Sequence, residues 1–429
     1  MKKYRGLLLV AWSIISIGIV ICFYYLIILY NDGWSFWGIG EMSIEKTGQF
    51  GDYIGGFVGT IFSLAAFIFL FLTFKQQTEV YQRERLETKF FEMIKLHRDN
   101  VSELIYTPFK RIYGKTEKED ILKEQIFDGR MVFRVIFSEF KVLHEEVKHF
   151  FDNVQINDLY EENYLIDLNA NETLQKRTIN LILFAKIDIL FCIIYFGLSY
   201  DDQKAISNFF SGRYKESFYK KILKYAALKP KEESDSWRKW NKINELELTK
   251  KIRFFERLIE DWESGLISRP IFKPDWEYID NAGYSNLYYN KSNYKKYYGG
   301  HQFRLGHYFR NLYQTVTFIN NDPQTNYSQK YSNIKILRGQ LSTFEQSIIF
   351  LNSLSILGRV WELENRNDPQ KAIDLNNQLI TKYNFIKNIL NYDIIEGVNV
   401  SHFYPLVEFE AGINEEKKKQ RELLEEQYS

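Results

Sequence analysis

Cysteine is nearly missing from this chain: Cys22 and Cys192 are the only two in 429 residues, and both fall inside apolar runs. That excludes a disulfide framework and a thiolate cluster for structural zinc, and it permits a reducing compartment. An excess of either charge is missing too. With 56 basic and 55 acidic residues the net charge is +1, which excludes the strongly basic footprint of a general nucleic-acid binder and requires any basic patch to be local. No sustained two-residue alternation and no fixed-period repeat are present. What remains is a chain that is 45% hydrophobic and 26% charged. That composition excludes disorder as the main state, and the length implies two or more structural units. The 17% aromatic content decides little, because AT-rich codon usage alone raises Phe and Tyr.

Two long apolar runs stand out. Leu7 to Tyr30 carries no charge and, at about 1.5 Å per residue, is long enough to cross a bilayer core as a helix. It exceeds the apolar stretch of a signal peptide, and no A-x-A-like cleavage site follows it. Tyr53 to Phe74 forms a second uncharged run that stops at Lys75. These spans, 7–30 and 53–74, predict a transmembrane hairpin over residues 1–74. Lys2, Lys3 and Arg5 precede the first span, and Lys75, Arg83, Arg85 and Lys89 follow the second, so both flanks are expected in the cytoplasm. The connection 31–52, with four acids and one lysine, is then periplasmic, and Tyr30, Trp34 and Trp37 suit the interface. Gly55 and Gly59 fall on one face of the second span and permit close approach of a neighbouring helix, either the first span or another subunit.

Beyond Lys75 the periodicity is helical. Leu86, Phe90, Ile94, His97 and Val101 make one stripe continuing the second span, and Val132, Ile136, Phe140 and Leu143 make another. Leu181–Tyr200 is apolar enough for a third span, but Lys186 and Asp188 near its middle oppose insertion and predict a buried core helix. Helices are also predicted over Phe303–Ile319 and Ile334–Glu364. The chain thus reads as mainly α: the hairpin, a large cytosolic helical domain over 75–414, and a charged tail over 415–429 expected as a solvated helix or frayed end.

Catalytic motifs are as scarce as cysteine. Gly114-Lys115-Thr116 resembles the end of a phosphate loop, but Phe109 stands where that motif needs its first glycine. His144 and His149 are spaced so that their imidazoles point about 140° apart on a helix, which does not suit a zinc site. There is no Gly-x-Ser-x-Gly elbow, Pro274-Asp275 lacks the downstream Glu-x-Lys of a metal nuclease, and no histidine follows an arginine at the spacing of the HEPN-type ribonucleases. No motif calls for a metal or a cofactor, and the reading leans away from an enzyme.

Two constellations carry chemistry. His301, Arg304, His307 and Arg310 bring two imidazoles and two guanidiniums close together, suited to phosphate binding or acid–base work, or to a buried polar network. The tyrosines 278, 284, 288, 289, 294, 297 and 298, with Lys291, Lys295 and Lys296, suit a packed loop, a protein contact or the stacking of unpaired bases. Tyr288, Tyr289, Tyr294, Lys295, Lys296 and Tyr297 are its candidate partner-contact residues.

Three stretches together resemble the phage abortive infection family of AbiC-like bacterial proteins: Phe50–Asn100; the block Gly306-His307-Tyr308-Phe309-Arg310-Asn311-Leu312-Tyr313; and Leu337 through Glu345 to Asn352. The matching positions are Tyr308, Phe309, Arg310, Gln340, Leu341, Ser342, Glu345 and Asn352, while Gln346 stands where an aliphatic residue is more usual. The resemblance implies a bacterial inner-membrane protein, multi-pass, that protects a population by halting the infected cell. It implies no catalytic residue. The expected partners are the lipid bilayer, further copies of the chain, and a phage component or host defence protein. Two alternatives stay open: a membrane-tethered ribonuclease or nucleotide-processing enzyme using the cluster at 301–310, and a scaffold recruiting another defence protein.

Overall fold

The computed structural model describes residues 4–34, 44–115, 119–234, 237–264, 296–364, 374–389, 393–410 and 415–428. Pro274-Asp275, Trp37, and Tyr288, Tyr289, Tyr294 and Lys295 with the other tyrosines of 278–294 lie outside them. The chain is mainly α and divides into two units, Met1–Glu92 and Met93–Ser429.

The first unit holds two helices long and apolar enough to cross a membrane. Helix α1 is Arg5–Asn31. The second begins with α2 (Ile44–Asp52), passes through a π-helical stretch at Tyr53–Val58 and continues as α3 (Gly59–Ser102), which carries the chain into the second unit. Continuation of the second apolar run into one long helix is therefore as the periodicity predicts. The helices touch through Trp12 and Phe69, edge to face at 6.0 Å, and through Tyr25 stacked on Tyr53 at 4.1 Å. Outward, the apolar side chains have no protein cover: Val20 is 66% and Leu70 69% exposed. The glycine packed within the hairpin is Gly18, where a β-carbon would come within 2.9 Å of the Phe62 ring. At Gly55 a β-carbon would meet nothing within 4 Å, and at Gly59 only the Ile54 carbonyl of its own helix.

The second unit is built around α8 (Leu181–Phe196), apolar on every side as a helix enclosed by others must be. In chain order it is preceded by α4 (Met131–Val147) and the short helices α5 (Ile156–Leu159), α6 (Glu162–Ala170) and α7 (Glu172–Lys176). It is followed by α9 (Tyr200–Phe210), α10 (Glu216–Ala227), α11 (Trp237–Asn244), α12 (Leu248–Glu263), α13 (Gln302–Asn320), α14 (Tyr327–Arg338) and α15 (Thr343–Leu354). Helices α4, α9, α13 and α15 surround α8. Asn180 opens α8 by accepting from the Ile182 and Leu183 amides, and Gly197 at φ +92° closes it.

Asp188 of α8 is fully buried and matched on both oxygens. Arg359 and the Tyr214 hydroxyl each donate to Oδ2 at 2.6 Å, and the Ile356 amide donates to Oδ1 at 2.7 Å. A charge that opposed membrane insertion is thus a cross-link of the core, and Arg359 was the partner no local pattern announced.

Among the described residues, three short antiparallel ladders interrupt the helices: β1 (Ile105–Tyr106) with β4 (Phe127–Asp128), β2 (Phe109–Ile112) with β3 (Ile121–Glu124), and β5 (Asp393–Ile395) with β6 (Val398–Asn399). Beside the β2–β3 pairing, the Gly114 amide donates to Asp120. The ladders are too short to show alternation.

The expectation of one helix over Ile334–Glu364 is corrected. The chain breaks after Arg338, and Ser342 starts α15 afresh through a capping box with Glu345. Apolar residues keep helical spacing across the break, so periodicity alone runs the two together.

After the short helices α16 (Leu379–Lys382) and α17 (Val400–Phe403), the charged C-terminal stretch forms α18 (Glu415–Tyr428), and one side of it is docked. Arg421, 3% exposed, donates to the Thr381 and Lys382 carbonyls and the Tyr327 hydroxyl, and Leu424 is buried beside it. A buried guanidinium donating to these oxygens ties down a helix whose composition reads as solvated.

Candidate functional site

The first turn of α13 is held by a close approach of two chain segments. Gly300, at φ +80°, lies so near the end of α8 that a β-carbon would strike the Phe196 carbonyl. The next amide, that of His301, donates to the Ile194 and Tyr195 carbonyls at 3.1 and 2.8 Å, two acceptors the end of α8 leaves without partners in the helix. This fixes the His301 imidazole, 2% exposed, over α4.

There His301 Nε2 lies 2.8 Å from Glu139 Oε2, and the Tyr106 hydroxyl donates to Glu139 Oε1 at 2.6 Å. Arg304 Nη1 lies 3.2 Å from His301 Nδ1 and its Nε donates to the Ile105 carbonyl. A guanidinium only donates, so Nδ1 accepts and Nε2 carries the proton directed at Glu139. The Arg304 guanidinium also covers the Tyr106 ring at 4.6 Å. Burial pushes the Glu139 carboxyl up, but His301, Tyr106 and the nearby Lys231 outweigh it and hold the group below its ordinary range. Burial, with the Glu139 charge, pushes the Tyr106 hydroxyl well up, so it stays protonated and donates.

The four residues at 301–310 do not converge. His301 and Arg304 face α4 and β1, whereas His307 and Arg310 lie on the exposed side of α13, where Arg310 Nε bonds back to the Gly306 carbonyl at 3.1 Å. The 100° step of a helix separates them: residues 301, 304 and 308 share the inner side that 310 opposes. Glu139 and Tyr106 complete the cluster from 162 and 195 positions away.

Glu139 and Tyr106 also line a cleft of about 530 Å³, together with Phe109, Arg134, Lys231 and Tyr297. Of the tyrosine-rich stretch, Lys296 makes a bridge with Pro230 and donates to the Leu198 carbonyl, and Tyr297 is half-buried with the Lys229 ammonium 3.9 Å from its ring centre. Tyr298 is buried and donates to Glu146, which also pairs with Lys229 at 2.6 Å. This end of the stretch is packed against its own unit.

The family-matching residues meet elsewhere. Tyr308 is buried against Phe133 and His97, with ring centres at 4.7 and 5.3 Å, and its hydroxyl reaches Glu345 at 3.4 Å. Glu345 accepts from the Ser342 amide and hydroxyl at 2.7 and 2.6 Å, with Arg130 at 3.7 Å and His97 at 3.9 Å. Arg130 also donates to the Gln340 carbonyl. Burial pushes Glu345 up, and burial with the neighbouring Arg130 takes His97 down to about 4. His97 Nδ1 has no hydrogen-bond partner. His97 and Arg130 complete this group and nothing local announced them.

Leu341, Phe309 and Asn352 are core residues, Asn352 filling the space that glycine leaves at position 358. Arg310 is exposed. Gln346 is fully buried yet satisfied: its Oε1 accepts from the Asn388 amide at 2.9 Å, and Nε2 donates to Asn388 Oδ1 and the Leu341 carbonyl. A polar residue in an aliphatic place is thus accommodated by the adjoining loop.

Residues 300–394 match the family model described as "Putative phage abortive infection protein". The matched segment starts at the glycine that positions His301 and takes in α13, α14 and α15, and it supports the AbiC-like resemblance. No curated protein and no solved structure matches the chain.

Proposed function

We propose that this chain is an abortive-infection protein anchored in the bacterial inner membrane by α1 and the apolar part of α3, with the unit Met93–Ser429 in the cytosol, where it responds to infection and halts the cell. The observation that carries the reading is the family match over residues 300–394. Two further features support it. The apolar side chains on α1 and α3 lack protein cover, which lipid would supply. Cations flank the hairpin at both its ends and acids dominate its connection. Gly55, with open space around it, is available for a neighbouring copy.

The test is a phage challenge with and without expression at low and high infection ratios, combined with fractionation and a C-terminal reporter. Culture survival at the low ratio with cell death at the high one is expected, with the chain in the membrane fraction. Unchanged plaque numbers on expression, or recovery of the chain as freely soluble protein, would sink the reading.

A second reading, an enzyme acting on a nucleotide or RNA, would rest on His301, Glu139 and Arg304 beside the cleft rather than on all four residues of 301–310.

A further inference from the structure

We propose that the cleft beside Glu139 binds a nucleotide, its phosphates held by Lys110, Arg134 and Lys231 and its base laid on Phe109. The inference rests on reading the unit Met93–Ser429 as the part that responds to infection, and it names the ligand class of that unit's cleft.

Four observations lead there. The cleft, at about 530 Å³, is in the size range of small-molecule sites and far too small to enclose a folded partner. Its charges are unequally engaged. Glu139 spends both oxygens on His301 and Tyr106, and Glu232 accepts from the Arg111 amide at 2.7 Å. Lys110, Arg134 and Lys231, by contrast, form no ion pair among the described residues, and Arg134 is held only against the Phe344 ring at 6.0 Å. Lys110 and Arg134, with no ion pair among the described residues, and Lys231, which acts on Glu139 only as a nearby charge, face a cleft whose carboxylates Glu139, Glu232 and Glu233 are all engaged, and this favours a multiply charged anion.

The third observation is Phe109, which lines the cleft, is 37% exposed and stacks on no other ring among the described residues. Tyr106 and Tyr297 are already covered by Arg304 and Lys229, so Phe109 is the aromatic face left for a base. Finally, Gln125 and Ser138 also line the cleft and supply donors and acceptors for the edge of a base or the hydroxyls of a sugar. Phosphate-binding cations and a free aromatic face at opposite chemical extremes of one small cleft fit a ligand that is itself half polyanion and half aromatic.

The experiment uses the full chain in detergent micelles and measures binding of ATP, GTP and AMP, with adenosine and inorganic tripolyphosphate as the two halves and a single-stranded oligoribonucleotide as competitor. At least one nucleotide is expected to bind about tenfold or more tighter than either half, and to weaken as salt rises. An Arg134→Glu, Lys231→Glu chain should lose about a hundredfold in affinity. Arg134→Lys, Lys231→Arg should retain most of it, and Phe109→Ser should weaken the whole nucleotide but not tripolyphosphate. If charge reversal impairs folding, the Phe109→Ser contrast and the salt dependence still decide. No nucleotide binding, binding indifferent to these substitutions, or binding of the oligoribonucleotide alone overturns the inference. Nucleotide binding without phage protection would instead count against the proposed function, and protection unaltered in the charge-reversed chain would count against this inference alone.

Discussion

His301 and Glu139, 162 positions apart, meet at 2.8 Å in the buried space between α13 and α4. Each is almost wholly withdrawn from solvent, and each has a second partner that sets its orientation: Arg304 for the imidazole, Tyr106 for the carboxylate. Such a pair is costly to break from one side, because the remaining group stays buried without its match.

His301→Leu is therefore expected to destabilise the second unit by roughly 3–5 kcal/mol. Adding Glu139→Leu to it should restore part of the loss, since two apolar residues leave no uncompensated charge. Denaturant melts of the single and double variants measure this. A double variant as unstable as the two single losses summed would show that the pair is not coupled.

The same carboxyl predicts acid sensitivity. Glu139 is held below its ordinary value of 4.5, so its contribution is complete above that value and is lost as pH falls through the lower folded-state value. Two buried histidines act at higher pH. His97 is lowered to about 4 by burial and then Arg130, and His144 to about 4 by burial and then Lys186. Both stay neutral when folded and take up protons when unfolded, so stability should decline from pH 6.5 down to about 4. In a pH series of thermal melts, His144→Leu should flatten that decline; an unaltered slope would show that His144 is not its source.

The two hairpin glycines should separate cleanly. Gly18→Leu places a side chain where the Phe62 ring already lies and should disrupt packing of α1 on α3. At Gly55 an added β-carbon meets nothing within 4 Å among the described residues, so Gly55→Leu is expected to leave the packing of α1 on α3 intact, and a loss of crosslinked oligomer or of phage protection in that variant then reports contact with another copy. Cysteine crosslinking between the helices and between chains distinguishes the two effects. Equal behaviour of the two variants in both assays would remove this distinction.

Gly300→Ala should destabilise by more than about 1 kcal/mol, because φ is +80° and the new methyl would strike the Phe196 carbonyl. Gly212→Ala, also at positive φ but in open space, should cost only the backbone strain. A melting comparison of the two variants checks that close approach, rather than φ alone, governs position 300.

Arg421→Ala should release the end of the chain. Its guanidinium holds α18 to three oxygens, at Thr381, Lys382 and Tyr327. Limited proteolysis should then cut within Glu415–Tyr428 earlier than in the parent, with the rest of the second unit unchanged. An unchanged cleavage rate would show that Leu424 and its neighbours suffice.

What the sequence determined by itself is what local periodicity records. The uncharged runs, the helical stripe through Leu86 and Val101, the enclosed helix with Lys186 and Asp188, and α13 over nearly its predicted length follow from apolar residues repeating at helical steps. Nearness in the chain grouped His301 and Arg304 with His307 and Arg310 without separating the two pairs. Only the tertiary structure decided that His307 and Arg310 face away, that Glu139 and Tyr106 complete the cluster, that Arg359 answers Asp188 and that His97 and Arg130 meet Glu345. The reason is physical. Periodicity tells which side of a helix is turned inward, but a buried charge is matched by whatever the packed neighbours bring to it. Those neighbours come from elements brought together by apolar burial across hundreds of residues, where no local pattern registers the pairing.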